Sequence, residues 1–212
     1  VLVVYGDTPL ITLATLEGML EARRAPADPA VVVLGFRPVD PAAYGRLILG
    51  PDGGLDAIVE AKDASLEHLM VRLCNSGVMA IDAARLFGLL DRVGNDNAKG
   101  EYYLTDIVHL ARSDGVACGF VEGSARELIG INSRVDLAEA ESIVQDGLRN
   151  RAMAGGATLI DPRSVWFSWD TELGRDVAIG PSVVFGPGVR IGNTVKIQGF
   201  CHFEGARVED GA

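Results

Sequence analysis

The sequence lacks what would mark a membrane, secreted or nucleic-acid-binding protein. Nowhere in its 212 residues is there an uninterrupted apolar run of the kind a membrane helix needs, and no charged region with a small-residue cleavage site opens it. Basic side chains are outnumbered, 19 Lys and Arg against 29 Asp and Glu, and the net charge of -10 disfavours nucleic acid and anionic membranes, which bind by having their phosphates neutralised. A phosphate ligand bridged by a metal remains compatible with that charge. Cysteine is scarce: Cys74, Cys118 and Cys201 form no CxxC pair and have no histidine at ligand spacing, so three reduced thiols are expected rather than disulfides or zinc. A soluble, cytoplasmic protein is the expectation. There is also no initiating methionine, and a hexapeptide repeat is interrupted at Gly211-Ala212, so the chain reads as a segment of a longer protein.

What is present is enough apolar content, 48%, to bury a core. Over residues 1–130 apolar runs alternate with helical patterns, as in an α/β domain. Val1-Leu2-Val3-Val4 reads as a fully buried parallel strand with neighbours on both sides. Thr12 is placed to cap a helix carrying Leu13, Leu16 and Leu20, with Arg23 and Arg24 in its last turn. Further strands are expected at residues 31–34, 55–61, 76–81 and 116–121. Asp82 caps a helix with Leu86, Leu90 and Val93 on one face, and another starts at Thr105 or Asp106. After Asn132-Ser133, the spacing of Leu137, Ala140, Val144 and Leu148 predicts one long amphipathic linker helix that stops at Gly155-Gly156.

Beyond Asp161-Pro162 the period becomes six. Leu173, Ile179, Phe185, Ile191, Ile197 and Phe203 form one series, Val177, Val183, Val189, Val195 and Cys201 a second, and Gly174, Gly180, Gly186 and Gly192 follow the first. This period predicts a parallel β-helix with inward aliphatics and with glycines and small residues at tight corners, about two coils long and so dependent on further coils or other chains.

Asp7 falls just past the first strand, where open α/β sheets bind ligands, and reads either as a ligand or as a turn cap. Asn132 is either a second oxygen donor for Mg²⁺ or a helix N-cap. Nothing in the spacing brings the two together. Six stretches go further: Tyr5-Gly6-Asp7-Thr8-Pro9-Leu10, Tyr44-Gly45-Arg46, Ile58-Val59-Glu60-Ala61-Lys62-Asp63-Ala64, Asn75-Ser76-Gly77, the run from Asn97 to Asp106, and Gly130-Ile131-Asn132-Ser133-Arg134. In this order, followed by the long helix and the hexapeptides, they resemble the bacterial bifunctional N-acetylglucosamine-1-phosphate uridyltransferase / glucosamine-1-phosphate N-acetyltransferase family along essentially the whole chain.

The resemblance implies a partial Rossmann-like nucleotide-diphospho-sugar transferase domain over residues 1–134, a linker helix over 135–156, and the start of a left-handed parallel β-helix acetyltransferase domain over 157–212. It implies Asp7 and Asn132 as Mg²⁺ ligands, Tyr5, Gly6 and Asp7 lining the nucleotide-sugar site, and Gly45, Glu60 and Asn75 holding the N-acetylglucosamine ring, with Tyr103 and Thr105 beside them. The implied reaction joins UTP and N-acetylglucosamine-1-phosphate into UDP-N-acetylglucosamine and pyrophosphate, without a side-chain nucleophile. His68, His109 and His202 receive no role. Acetyl-CoA and glucosamine-1-phosphate would serve the whole protein, expected as a homotrimer with no nucleic-acid or membrane partner. The family's Gly-rich phosphate loop and most of its β-helix have no counterpart in these residues, so this stretch alone is expected to be inactive. The competing readings are another sugar-1-phosphate nucleotidylyltransferase with hexapeptide repeats, and a non-catalytic assembly subunit.

Overall fold

The computed structural model describes residues 1–41 and 44–212. By contact the chain divides into two compact units, Val1–Asn132 and Ser133–Ala212.

The first unit is a mixed six-stranded sheet with helices. Its strands are β1 (Leu2–Val3), β2 (Val31–Phe36), β3 (Arg46–Leu49), β4 (Leu55–Val59), β5 (Cys74–Ile81) and β6 (Cys118–Glu122), interleaved with α1 (Leu13–Arg23), α2 (Leu66–Leu69), α3 (Ala83–Leu90) and α4 (Asp106–Ser113). The sheet order is β4-β3-β5-β2-β6, and β1 pairs with β5. Only β2 and β6 run parallel; β5 is antiparallel to β1, β2 and β3. One sheet face packs Val31, Val33, Leu47, Ile58 and Met79 against Leu86 and Leu89 of α3 and Ile107 and Val108 of α4. The other packs Val32, Leu34, Phe36 and Cys74 against Met19 of α1.

Capping residues set the helix starts. Thr12 Oγ1 accepts from Thr15 N, and Asp82 Oδ1 accepts from Ala84 N at 2.7 Å. The Ala84 N–H, with the charges of Arg23 and Arg85 paired to Asp82, holds its carboxyl below the ordinary aspartate range. The α3 face differs from the expectation: the helix ends at Leu90, so the buried pair is Leu86 and Leu89, and Val93 follows the last turn.

The first strand is also a correction. Leu2–Val3 is two residues long and antiparallel, and Val1 and Val4 are 55% and 47% exposed. An apolar run is buried only when both sides of the strand are covered, and here β5 is its single partner among the described residues.

The second unit begins with α5 (Arg134–Ala154), entered through a capping box between Ser133 and Asp136 and closed by Gly155. Nine two-residue strands follow, with the short 3₁₀ turn Pro162–Ser164 among them: β7 (Thr158–Leu159), β8 (Trp166–Phe167), β9 (Glu172–Leu173), β10 (Ala178–Ile179), β11 (Val184–Phe185), β12 (Arg190–Ile191), β13 (Lys196–Ile197), β14 (His202–Phe203) and β15 (Arg207–Val208). Every third strand joins the same sheet, giving three parallel sheets, β7-β10-β13, β8-β11-β14 and β9-β12-β15. The chain therefore makes three turns here, one more than its repeat predicts, because Thr158–Leu159 and Trp166–Phe167 join the stack ahead of the regular sequence pattern.

Both six-residue series point inward as expected: Val177, Val183, Val189, Ile179, Phe185 and Ile191 are buried. Phe167, Phe185 and Phe203 stack at 5.0 and 5.6 Å between ring centroids. The corner assignment holds only in part: Gly188 and Ser182 are corners, but the glycines that follow the first series are not. The left-handed corners are a different six-residue series, Asp176, Ser182, Gly188, Thr194 and Phe200, with φ of 58°, 58°, 74°, 56° and 62°. Gly174, Gly180, Gly186 and Gly192 serve close approach between turns: a Cβ on Gly174 would lie 2.6 Å from the carbonyl carbon of Gly192, and one on Gly180 2.5 Å from Gly199 N.

Helix α5 buries part of the expected face, Ala140 and Leu148, and adds polar residues to it. Leu137 is 52% exposed, whereas Gln145 is 3% exposed. Gln145 exchanges two hydrogen bonds with the Phe167 backbone, 2.8 and 3.0 Å, and Arg149 donates to Val165 O at 3.1 Å. The first turn has no strand beneath it among the described residues, and its edge amide and carbonyl groups need partners that leucine cannot supply.

Candidate functional site

The motif residues of the first unit meet at one end of its sheet. In the ladder Arg46 lies opposite Val59 on β4 and Cys74 on β5. The next residues along those strands are Glu60 and Asn75, and the residue before Arg46 is Gly45. The three therefore come side by side across neighbouring strands, with Asn75 N donating to Gly45 O at 2.8 Å. A Cβ on Gly45 would sit 3.2 Å from Glu60 Oε2, so this position admits only hydrogen if the carboxylate keeps its place. Glu60 Oε1 accepts from the buried Thr105 hydroxyl at 3.2 Å. Asn75 Oδ1 accepts from Gly77 N at 2.8 Å, and its NH₂ group has no acceptor among the described residues.

Gly77 was not among the candidate residues, yet it shapes the site. Its φ is +86°, and a Cβ there would lie 2.2 Å from Tyr5 Cε2, so the Tyr5 ring rests directly on the glycine. The Asn-Ser-Gly sequence, a turn-like triplet inside a strand, is the local signal for it. Tyr103 lies beside Glu60, Ala61, Lys62 and Lys99 around a hollow of about 110 Å³. Burial, helped by the Asp63 charge, raises the Tyr103 hydroxyl above its ordinary pKa, so it is a hydrogen-bond donor at neutral pH.

Asp7 is exposed in the turn after β1, which the Thr8 hydroxyl closes on Tyr5 O at 3.1 Å. Its carbonyl accepts from Ile131 N at 2.8 Å, which brings the Asn132 loop to the Asp7 turn. Ser133, not Asn132, caps α5. Gly6 faces open space. No cluster of three or more His, Cys, Asp or Glu side chains suited to a metal occurs among the described residues. One exposed carboxylate, with Asn132 in the loop joined to its turn by the Ile131 bond, is a donor set compatible with Mg²⁺, which keeps several waters and takes one or two protein oxygens, and does not fit a closed zinc or calcium cage. A larger hollow of about 930 Å³ runs along α5 beside Trp166 in the second unit and contains none of the residues implied by the motifs to bind substrate. No helix among the described residues is long and apolar enough to cross a membrane.

A mixed α/β sheet with a polar row at one strand end, followed by a stack of short parallel strands, is the class of protein defined by these observations. A scan against family models matches none. Among curated proteins, the chain is 64% identical over 211 residues to "Bifunctional protein GlmU" of Paramagnetospirillum magneticum, covering 100% of this chain and 47% of that protein. It is 69% identical over 208 residues to the protein of the same name from Rhodospirillum rubrum, and 55% identical over 213 residues to that from Xanthobacter autotrophicus. The chain belongs to this GlmU family and spans about half the length of the curated relatives it matches. A solved structure of CMP:2-keto-3-deoxy-manno-octonic acid synthetase complexed with CTP aligns over 69% of this chain and 61% of its own with a TM-score of 0.46 and 13% identity.

Proposed function

We propose that the first unit is the sugar-binding and metal-binding part of a nucleotidyltransferase that joins UTP and N-acetylglucosamine-1-phosphate, releasing pyrophosphate. The observation that carries the reading is the polar row of Glu60, Gly45 and Asn75 at one strand end. A carboxylate and an amide NH₂ bond ring hydroxyls and an acetamido group, and a glycine between them lets the sugar approach the backbone. Tyr5 and Gly6 line the nucleotide-sugar side. Asp7 and Asn132 would hold Mg²⁺, which supplies charge neutralisation on the phosphates when bound. The chain's own residues bind and orient: the sugar phosphate oxygen is aimed at the α-phosphorus in line with the departing pyrophosphate, and no side chain acts as nucleophile.

In this reading the second unit begins a left-handed parallel β-helix, through which the whole protein forms a homotrimer and carries acetyl-CoA-dependent acetylation of glucosamine-1-phosphate. The protein would act in the cytoplasm, supplying UDP-N-acetylglucosamine for cell-wall precursors. The test is pyrophosphate release by the natural protein that carries this chain, with UTP and Mg²⁺ and either N-acetylglucosamine-1-phosphate or glucose-1-phosphate. Preference for the acetamido sugar is expected; equal use of both, or no turnover, refutes the reading.

A further inference from the structure

Arg46 is 2% exposed, and none of the ion pairs among the described residues includes it. Its Nη1 donates to the Tyr44 carbonyl, and its Nε has no partner among the described residues. A buried guanidinium without a carboxylate is expensive, and an apolar side chain of similar volume would fill the space with less penalty. Its fork must therefore do something that packing alone does not.

The ladder shows what that is. Arg46 lies one residue behind the row formed by Gly45, Glu60 and Asn75, and strand alternation directs its side chain to the face opposite Gly45. There its cross-strand neighbour is Cys74, itself opposite Phe36. From this face the guanidinium reaches back to the carbonyl of the Tyr44–Gly45 peptide. That peptide is planar, so fixing its carbonyl fixes the direction of the Gly45 N–H on the other side. The Gly45 N–H has no protein acceptor among the described residues, whereas the Gly45 carbonyl is taken by Asn75 N. The Tyr44 ring is held in turn, edge-on to Phe36 with centroids 4.9 Å apart.

We propose that Arg46 is a positioning residue for the sugar-phosphate half of the site: from the far face of the sheet it orients the Tyr44–Gly45 peptide so that the Gly45 N–H points into the row with Glu60 and Asn75. The inference rests on the functional reading above, and the test separates the two.

In the whole natural protein, Arg46→Met is expected to raise the KM for N-acetylglucosamine-1-phosphate about tenfold, the loss of roughly one well-aimed hydrogen bond, while the KM for UTP stays within about twofold. Arg46→Lys keeps the charge and a donor but loses the planar fork, and is expected between Met and wild type. A side chain needed only for folding would lower thermal stability without splitting the two KM values. Wild-type sugar KM in both variants, or an equal rise in both KM values, overturns the proposal; should Arg46→Met not fold, Arg46→Lys decides alone by the same criterion. Calorimetric titration with the sugar phosphate distinguishes the failures. A wild type that binds it without turning over UTP faults the reaction, unchanged affinity in the variants faults Arg46, and a wild type that does not bind it overturns both.

Discussion

Replacing Gly174 by alanine is expected to destabilise the second unit strongly, whereas the same change at Gly147 should stabilise it. At Gly174 the new Cβ would lie 2.6 Å from both C and O of Gly192 and 2.7 Å from Asn193 N. Ordinary contact begins near 3.4 Å, so about 0.8 Å of clearance is missing, and every atom in the way is backbone. Those backbone atoms are pinned: Gly174 N donates to Ile191 O at 2.8 Å, Arg175 N to Asn193 Oδ1 at 2.9 Å, and Gly192 N to Val208 O at 2.8 Å. Relief requires the turns to separate, which breaks ladder bonds, so the change belongs at the upper end of overpacking, about 3 kcal/mol. Gly147, in α5, has nothing within 4 Å of its added Cβ, and alanine in an exposed helix interior gains about 1 kcal/mol. For a unit of this size, 1 kcal/mol corresponds to roughly 4–8 °C, so thermal melts should fall by at least about 10 °C in one variant and rise by about 5 °C in the other. If Gly174→Ala melts with wild type, the close-approach role of these glycines is wrong.

Gly77→Ala should displace the Tyr5 ring and strain a backbone at φ +86°, lowering stability by about 1–2 kcal/mol in denaturant melts and weakening sugar-phosphate binding in the same variant; unchanged binding would remove Tyr5 from the site. Asp7→Ala in the whole protein should reduce Mg²⁺-dependent pyrophosphate release by about 10²-fold or more, and a rate within about twofold of wild type would refute the metal assignment. Burial raises the Cys118 thiol to about 11, above its unfolded value near 9. Protonation thus favours the folded state: the contribution is full below pH 9 and is lost as pH rises through 11, in total about 2–3 kcal/mol. Denaturant midpoints at pH 8 and 10.5 should show about two-thirds of this loss in wild type and a shallower one in Cys118→Ala; equal slopes would contradict it.

Local signals in the sequence were dependable where one residue determines one hydrogen bond or one burial. Thr12 and Asp82 cap the helices they precede because a side-chain oxygen and an amide two or three residues on are neighbours in any helix start. The hexapeptide ladder was legible for the same reason, since each strand offers one inward position and the period repeats. Errors arose where a neighbour distant in sequence decides the outcome. Val1-Leu2-Val3-Val4 has the composition of a buried strand, but burial depends on what lies beside it. In α5 the apolar spacing predicts Leu137, Ala140, Val144 and Leu148; Ala140 and Leu148 do pack inward, whereas Leu137 and Val144 are exposed and the edge at β8 recruits Gln145 and Arg149. Conformational freedom suggests corners for Gly174, Gly180, Gly186 and Gly192, but there the neighbouring turn restricts the side chain and not the φ angle.

The site shows the same division more sharply. Asp7 and Asn132 are 125 positions apart, and no periodicity joins them; the link is one backbone bond from Ile131 N to Asp7 O. Glu60, Gly45 and Asn75 become a row only through strand pairings that no local pattern encodes, and resemblance supplied the set without supplying its geometry. Arg46 lies between those residues in space and inside a quoted motif, yet nothing in Tyr44-Gly45-Arg46 marks the arginine as buried. Its near-complete burial makes it informative, because a charge that the fold keeps dry must be held there by the group it holds. That group is the carbonyl next to Gly45. The two faces of the sheet are thereby coupled through one planar peptide, so a substitution on the α1 side can alter binding on the other face without touching a ligand.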